Sequence, residues 1–208
     1  EKGTPGFTIG KVEDKMGIRT VPVVETRFDN VRVPKSNLIG GRPGLGFKNA
    51  METLDYARPG VAAQAVGAAQ GALDYALAYS ARRRQFGKPI NSFQMVQKML
   101  SDMAMKTEAA RCLVHSVASM VDNGRAAEAG KKAAMAKCFA TDTAMEVATD
   151  AVQVFGGYGF MEDYPVAKFF RDAKILQIYE GTNEIQRMVV ARALIKETAN
   201  LGNLNAFI

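Results

Sequence analysis

The spacing of hydrophobic and polar residues changes near residue 40, which divides the chain into two parts. In residues 1–39 apolar and polar side chains alternate, as at Val24, Thr26 and Phe28, and a period of two indicates half-buried β-strands. Beyond residue 46, apolar residues recur every three or four positions, which predicts amphipathic α-helices. A segment rich in Gly and Pro, 40–46, separates the two patterns, so we place the domain boundary there.

The second part divides into four long helices and a short one. We predict the long helices over residues 47–83, 92–122, 126–155 and 183–195, and the short helix after Pro165. Pro59 lies inside the first helix and predicts a kink or a special role there. Asn91 followed by Gln94 resembles a capping box at the start of the second helix. Residues 171–182 are predicted to be mostly loop.

Four helices with short connections favour a mainly α fold. We therefore expect a four-helix-bundle-type domain over residues 41–208, preceded by a few β-strands in residues 1–40. The chain has 208 residues, of which 48% are hydrophobic, enough for the core of such a domain. No apolar run approaches the ~20 residues of a membrane helix, and no targeting peptide is visible. We expect no membrane span.

The arrangement of basic residues, cysteines and the single histidine argues against nucleic-acid binding and against a metal site. The formal net charge of +6 is compatible with nucleic acid and equally with an anionic cofactor. The basic run is isolated and lacks interleaved aromatic residues, so nucleic-acid binding is disfavoured. Cys112 and Cys138 lie far apart without a CxxC motif and are interpreted as reduced, buried residues. With His115 as the single histidine, we expect no metal site.

Two stretches are candidates for contact with a ligand. In "SARRRQFGKP", residues 80–89, three arginines end a helix, either as a solvated helix terminus or as a phosphate site. In "QVFGGYGF", residues 153–160, three glycines permit close approach of the backbone to a ligand. The second stretch lacks the Rossmann spacing and, taken alone, is more typical of a helix end followed by a turn.

Glu180 is the candidate for acid–base chemistry. In "QIYEGTNEIQRM" it precedes the last helix, which Thr182 or Asn183 can cap. Its carboxylate is not needed to stabilise that helix, and the backbone N–H groups of the helix start can hydrogen-bond an anion. Such a carboxylate beside an oxyanion-stabilising amide suits proton abstraction next to a carbonyl. An ordinary surface acid in a turn remains the alternative at this point.

Several motifs together resemble the acyl-CoA dehydrogenase family over residues 5–197. They are "PGFTIGKVEDKMGIR", "FDNVRVPKSNLIG", "LDYARPGVAAQAVGAAQGALDYALAYSARRRQFGKPI", "TDAVQVFGGYGF" and "AKILQIYEGTNEIQRMVVAR". The resemblance implies that residues 1–40 end the family's middle β domain and that residues 41–208 form its C-terminal helical domain. The family's N-terminal helical domain has no counterpart here, so we expect the chain to be the later part of a longer protein or a fragment.

The resemblance also implies a flavin enzyme that uses FAD to oxidise an acyl-CoA thioester to its trans-2-enoyl-CoA. Glu180 matches the general base, and its backbone amide matches a donor to the thioester carbonyl. Some members carry the base on the first helix, where this chain has Ala57. The substrate-binding positions correspond to Asp55, Tyr56, Arg58 and Gly181. The cofactor-binding positions correspond to Arg83, Gln85, Phe86, Gln94, Gln153, Val154, Phe155, Gly156, Gly157, Thr182 and Glu184.

Partners follow from the same resemblance. It implies electron transfer to an electron-transfer flavoprotein, a homotetramer arranged as a dimer of dimers with cofactor contacts across subunits, and a location in the bacterial cytoplasm or the mitochondrial matrix. The alternatives are a non-catalytic oligomerisation module of the same fold, an enoyl-CoA reductase and an acyl-CoA oxidase. Acyl chain length, branching and aromaticity are not predicted from the sequence.

Overall fold

The fold was analysed in a computed structural model, in which residues 1–125 and 128–198 are described. Their contacts divide the chain into two compact units, one spanning Glu1–Thr53 and the other beginning at Leu54. The domain boundary at residues 40–46 stays a prediction.

The first unit contains a two-stranded antiparallel sheet. Strand β1 (Phe7–Val12) pairs with β2 (Val24–Phe28), and the aromatic rings of Phe7 and Phe28 lie 5.2 Å apart at one end of the pair. The predicted strand is present, but the expectation that its alternating side chains are half-buried is wrong, because Phe28 is 69% exposed. Two strands alone form too small a sheet to bury a face.

Helix α1 (Gly46–Arg82) is 37 residues long, roughly 55 Å, and continues through Pro59. Its buried face includes a row of small residues spaced by three and four, namely Ala62, Ala65, Ala69, Ala72 and Ala76. Larger side chains from the other helices fill the space beside them. The ring of Phe169 approaches so closely that a Cβ added to Gly71 would lie 2.8 Å from it. Tyr79 stacks on Phe155 with 4.0 Å between ring centroids.

A tight hairpin follows α1 and was not predicted. Strands β3 (Arg84–Gln85) and β4 (Lys88–Pro89) pair in antiparallel fashion, so that Phe86 and Gly87 form the turn between them. Four further helices follow, α2 (Gln94–Asp122), α3 (Gly130–Phe155), α4 (Pro165–Leu176) and α5 (Asn183–Thr198).

Helix α3 is the centre of this unit, because α2, α4 and α5 all pack against it. Its buried stripe contains alanines spaced by three and four, among them Ala133, Ala136, Ala140 and Ala144, as predicted for an amphipathic helix. The predicted amphipathic face of α2 is buried at Met103, Thr107, Ala110 and Val117. The mainly α fold with a few short strands is therefore confirmed, with five α-helices in the described part of the chain.

Several local predictions need correction. Residues 171–176 belong to helix α4 because Ala173 and Leu176 are buried against the core, and this tertiary burial outweighs the weak local signal. The capping box is wrong, since a 3₁₀ turn brings the chain into α2 and Phe93 is its N-cap residue without a side-chain hydrogen bond. Cys138 is buried as expected, but Cys112 is exposed because it lies outside the buried stripe of α2.

The predicted start of the third helix, residues 126–127, lies outside the described residues, and α3 begins at Gly130. Within residues 1–125 and 128–198, no helix combines the length and apolar character needed to cross a membrane. Over the same residues, no three His, Cys, Asp or Glu side chains are grouped so as to hold a metal ion.

Candidate active site and cofactor cavity

A sharp bend places Glu180 between α4 and α5. The φ angles of Glu180 and Gly181 are 54° and 89°, so two consecutive residues are left-handed. This conformation costs a non-glycine residue on the order of 1 kcal/mol, so at Glu180 the surrounding contacts must hold it. Glycine is required at position 181 for a second reason, because an added Cβ would lie 2.6 Å from Nε2 of Gln186. Two consecutive left-handed residues, Glu180 and Gly181, thus form the bend that carries the candidate base.

Helix α5 begins directly after the bend. The Oγ1 atom of Thr182 accepts a hydrogen bond from the N–H of Ile185 at 3.4 Å, so Thr182, one of the two residues predicted to cap, fills that role. Glu184 lies in the first turn. Hydrogen bonds from its own backbone N–H and from Thr182 lower the pKa of Glu184. A carboxylate is stabilised there because the helix dipole is positive at its N-terminus.

Lys137 on α3 anchors the bend from the protein interior. Its side chain is fully buried, and its Nζ donates hydrogen bonds of 2.9 Å to the backbone oxygen of Gly181 and to Oδ1 of Asn183. The Nε2 atom of Gln186 donates to the same Gly181 oxygen, also at 2.9 Å. Desolvation lowers the pKa of Lys137 to about 8. One carbonyl of the bend therefore receives two buried donors.

Asp142 on α3 connects both ends of the loop. Its carboxylate accepts hydrogen bonds from Gln177 at 2.6 Å, from Asn183 at 2.7 Å and from Arg187 at 2.6 Å. Burial by itself raises the pKa of Asp142, but these three hydrogen bonds more than offset it, so the pKa is lowered. The charged form of Asp142 consequently fixes the segment before Glu180 and the helix after it.

Helix α1 also reaches the loop. The hydroxyl of Tyr179 donates a hydrogen bond to Oε1 of Gln64 on α1. Burial raises the pKa of this hydroxyl, although the hydrogen bond to Gln64 acts in the opposite direction. The residue directly before the candidate base is thus tied to a second helix.

The substrate-binding candidates on α1 differ in environment. Arg58 is 6% exposed and forms an ion pair with Asp55, whereas Tyr56 is 65% exposed. The positive charge of Arg58 contributes to lowering the pKa of Lys137, which brings this part of α1 into the electrostatic environment of the loop. Among the described residues, Nε of Arg58 and Oε1 of Gln186 are buried without a hydrogen-bond partner. Buried polar atoms usually have a hydrogen-bond partner, and a bound ligand or another chain segment can supply the missing one here.

The supporting residues of the loop were missed from the sequence; they are Gln64, Lys137, Asp142, Gln177 and Gln186. One signal was available, because Lys137 lies between Ala133 and Ala140 on a stripe of apolar residues, where a charge needs polar partners. The hydrogen-bond partners of Lys137, Gly181 and Asn183, lie 44 and 46 residues away along the chain, so no local pattern identifies them.

A second group of candidate residues surrounds the β3–β4 hairpin. Phe86 at its tip has a φ of 50° and is 91% exposed. The hairpin is stabilised by Arg84, which donates to the backbone oxygen of Gly87 at 2.8 Å. The ammonium of Lys88 lies 4.4 Å from the ring centroid of Phe93. A large apolar side chain held in solvent in an uncommon backbone conformation is typical of a contact site for another molecule.

A cavity of about 660 Å³ lies next to this hairpin. Arg83 lies at its edge with the guanidinium 5.4 Å from the ring centroid of Tyr158. Gly156, with a φ of 63°, ends α3 there, and a Cβ added to Gly156 or Gly157 would meet no atom within 4 Å. The residues that line the cavity are Tyr79, Arg83, Gln85, Ile90, Val154, Phe155, Gly156, Gly157, Tyr158 and Met161.

This lining fits part of FAD. An arginine can hydrogen-bond phosphate oxygens, aromatic rings can stack on flat heterocycles, and open space beside two glycines admits a ligand to the backbone. Of the cofactor candidates, Arg83, Gln85, Val154, Phe155, Gly156 and Gly157 lie around this cavity, and Thr182 and Glu184 lie at the start of α5. The remaining three, Phe86, Gln94 and Gln153, are exposed. Four lining residues were not among the predicted cofactor positions, namely Tyr79, Ile90, Tyr158 and Met161.

Comparison with known proteins identifies the class to which this fold and site belong. Residues 44–195 match the family description "Acyl-CoA dehydrogenase, C-terminal domain". The chain belongs to the acyl-CoA dehydrogenase family, whose members are flavoprotein oxidoreductases of fatty acid metabolism.

Individual relatives support the same assignment. The chain is 56% identical over 195 residues to the probable acyl-CoA dehydrogenase FadE25 of Mycobacterium tuberculosis, covering 94% of this chain and 50% of that protein. Butyryl-CoA dehydrogenase from Megasphaera elsdenii superposes with a TM-score of 0.90 at 55% identity, covering 94% and 50%. A chain from a structure described as the electron transferring flavoprotein of Acidaminococcus fermentans gives a TM-score of 0.90 at 57% identity, covering 93% and 50%. The chain thus spans about half the length of these relatives.

Proposed function

We propose that this chain is the C-terminal part of an FAD-dependent acyl-CoA dehydrogenase that converts an acyl-CoA thioester to the trans-2-enoyl-CoA, with Glu180 as the general base. The observation that carries the proposal is the bend at Glu180 and Gly181. An ordinary surface acid needs neither two left-handed residues nor a buried network of Lys137, Asp142 and Asn183 to hold it.

Glu180 would remove a proton from the carbon next to the thioester carbonyl. Such a proton is weakly acidic, so the negative charge that develops on the carbonyl oxygen must be stabilised. The backbone N–H of Glu180 is the proposed donor from this chain, because the positive φ of this residue turns its peptide group away from a regular helical course. The adjoining N-terminus of α5 favours negative charge in the same region.

Arg58 is proposed to supply the positive charge of the substrate site. The guanidinium is buried and retains an unpartnered Nε among the described residues, while Asp55 occupies another of its nitrogens. Arg58, Asp55, Tyr56 and Gly181 are thus proposed to line the thioester end of the substrate site.

The cavity beside the hairpin would hold the phosphate and adenosine part of FAD. Arg83 and Gln85 would supply polar contacts there, and the backbone at Gly156 and Gly157 would allow the cofactor to approach. Bound FAD would supply the acceptor for a hydride from the β carbon of the acyl group. Phe86 is 91% exposed at the hairpin tip, which suits a contact with the cofactor of a second copy. Phe86, Gln94, Gln153, Val154, Phe155, Thr182 and Glu184 complete the proposed set.

Three further assignments belong to this proposal. The exposed hairpin favours an assembly in which cofactor contacts cross subunits, a homotetramer built as a dimer of dimers. The structural match to a chain described with an electron transferring flavoprotein supports such a flavoprotein as the electron acceptor. The relatives that support the family assignment are bacterial, which supports a bacterial cytoplasmic location.

Flavin absorbance in the complete polypeptide tests the proposal. FAD is supplied, acyl-CoAs of different chain length are added without oxygen, and the visible spectrum is recorded. We expect bleaching with at least one acyl-CoA. Glu180→Gln should retain FAD and lose turnover by roughly 10²- to 10⁴-fold, the range for a general base. Glu146→Gln, which alters an exposed carboxylate on α3, is the matched control and should turn over normally.

The alternatives give different results in the same experiment. A protein that binds no flavin would be a non-catalytic oligomerisation module. Rapid reoxidation of the reduced flavin by oxygen would indicate an acyl-CoA oxidase, and oxidation only by an enoyl-CoA would indicate a reductase. Normal turnover in Glu180→Gln would remove this residue from the mechanism.

A further inference from the structure

We propose that Lys137 is a positioning residue for Glu180, a buried ammonium whose hydrogen bond to the Gly181 carbonyl keeps the base in its left-handed bend. This inference rests on the proposed function, because it assigns Lys137 a part in the same reaction. Lys137 is fully buried and would act through the backbone of residues 180–181.

The contacts of Lys137 concentrate on the bend. Nζ lies 2.9 Å from the backbone oxygen of Gly181 and 2.9 Å from Oδ1 of Asn183, residues 44 and 46 positions further along the chain. Both acceptors flank Thr182, the residue that caps α5. The ammonium therefore joins the centre of α3 to the junction between the bend and the last helix.

A peptide group fixed at its oxygen cannot rotate freely. The Gly181 carbonyl receives Lys137 on one side and Nε2 of Gln186 on the other, and Nε2 also lies 3.3 Å from the oxygen of Glu180. Loss of one donor would allow the peptide planes on either side of Gly181 to turn toward less strained conformations. The side chain of Glu180 would move with them, and a displacement of about 1 Å at a catalytic group can cost ~100-fold in rate.

The choice of lysine has no explanation in packing alone. Its side chain is fully buried on a stripe of alanines, and no ion pair to it occurs within residues 1–125 and 128–198. The titratable groups that face it are Cys138 and Asp142 on α3 and Glu184 on α5, which favour the ammonium, and Arg58 on α1, which opposes it. An uncompensated buried charge destabilises a fold, whereas methionine would fill a similar volume without that cost. A role in holding the bend accounts for its presence.

Lys137→Met and Lys137→Gln in the complete FAD-loaded protein test this role. Methionine removes every donor, while glutamine restores an N–H donor without the charge. Lys106→Met is the matched control, because Lys106 pairs with Glu146 between α2 and α3 on the surface. Turnover, KM, FAD content and melting temperature are measured for all three. Hydrogen–deuterium exchange of residues 177–183 adds a readout that does not depend on activity.

We expect kcat of Lys137→Met to fall roughly 10- to 100-fold with KM changed less than about threefold and FAD content unchanged. Exchange should increase in residues 177–183 and not in α2. Lys137→Gln should recover part of kcat, and Lys106→Met should match the wild type. Unchanged kcat with unchanged exchange would overturn the inference. A kcat that falls only in proportion to lost FAD would also overturn it.

Two outcomes separate this inference from the proposed function. If Glu180→Gln turns over normally, the proposed base is wrong, and increased exchange at residues 177–183 in Lys137→Met would then support an anchor of the loop without a catalytic purpose. If neither Lys137 variant folds while Lys106→Met folds normally, Lys137 serves stability alone and the positioning role is overturned.

Discussion

The bend at Glu180 and the hairpin at Phe86 both hold a non-glycine residue at positive φ, but their surroundings are opposite. The bend is held by hydrogen bonds from α3 and α5 within the same chain. The hairpin holds Phe86 91% exposed at its tip. A strained conformation supported from inside is preorganised for its own chemistry, whereas a strained conformation in solvent is prepared for contact with another molecule.

Among substitutions in the bend and the hairpin, Gly181→Ala should have the largest effect on turnover and stability. The added methyl group would lie 2.6 Å from Nε2 of Gln186 at a φ of 89°, so either the bend or the Gln186 amide that holds it must move. We expect turnover to fall by roughly 100-fold or more and the free energy of unfolding to fall by about 1–3 kcal/mol. Steady-state kinetics and chemical denaturation measure both effects.

Gly67→Ala provides the control for that variant. Gly67 lies inside α1, and an added Cβ there meets no atom within 4 Å. Because alanine restricts the unfolded chain, this control should leave turnover unchanged and raise stability by about 0.4–1 kcal/mol. A Gly181→Ala protein with normal turnover would contradict the view that the bend is preorganised.

Arg83→Ala tests the cavity next to the hairpin and should have a smaller effect than Gly181→Ala. Removing the guanidinium at the cavity edge should weaken FAD affinity by roughly 10- to 100-fold, since hydrogen bonds to charged groups contribute about 1.5–3 kcal/mol each. Stability without FAD should change little. Equilibrium dialysis of FAD measures the affinity.

Arg82→Ala is the matched control for Arg83, because Arg82 is the exposed last residue of α1 and does not line the cavity. If both substitutions weaken FAD binding equally, the arginines act through their general positive charge. If neither does, they are a solvated helix end, as the sequence alone allowed.

The fold was predictable from the sequence to the extent that local patterns determine it. The three- and four-residue spacing on α2 and α3 follows directly from helix geometry, so both helices and their buried stripes were found. Helix α4 was missed over residues 171–176 because its signal depends on burial of Ala173 and Leu176 by the rest of the unit. The β3–β4 hairpin was missed because two-residue strands leave almost no periodic pattern.

The residues of the candidate site also divide into those that a local sequence pattern identifies and those that it does not. Glu180 and Arg83 could be selected because they belong to motifs that are continuous in sequence. Lys137 and Asp142 could not, since their role arises only when α3 is packed against the start of α5, more than 40 residues away. Sequence reasoning thus finds residues that carry chemistry more readily than residues that hold them in place.

The smallest expected effect is the contribution of Lys137, which anchors the bend, to the pH dependence of the free energy of unfolding. The folded-state pKa of Lys137 is about 8, lower than the ordinary value near 10.4 for an unfolded chain. Between these values the unfolded state binds more protons, so this group makes the protein more stable as pH rises from 8 to 10.4. The stabilisation is fully present above 10.4 and is lost as pH falls through 8.

The comparison between wild type and Lys137→Met isolates this contribution from that of other titrating groups. Cys138 titrates nearby with a pKa raised by burial and acts in the opposite direction, so both proteins should carry Cys138→Ala. As pH rises from 8 to 10, the free energy of unfolding of wild type relative to Lys137→Met should increase by on the order of 2 kcal/mol. Urea denaturation at several pH values measures it. A difference independent of pH would mean that the ammonium is as well solvated as in the unfolded chain, and the bend would then lack the buried charged anchor that distinguishes it from the hairpin.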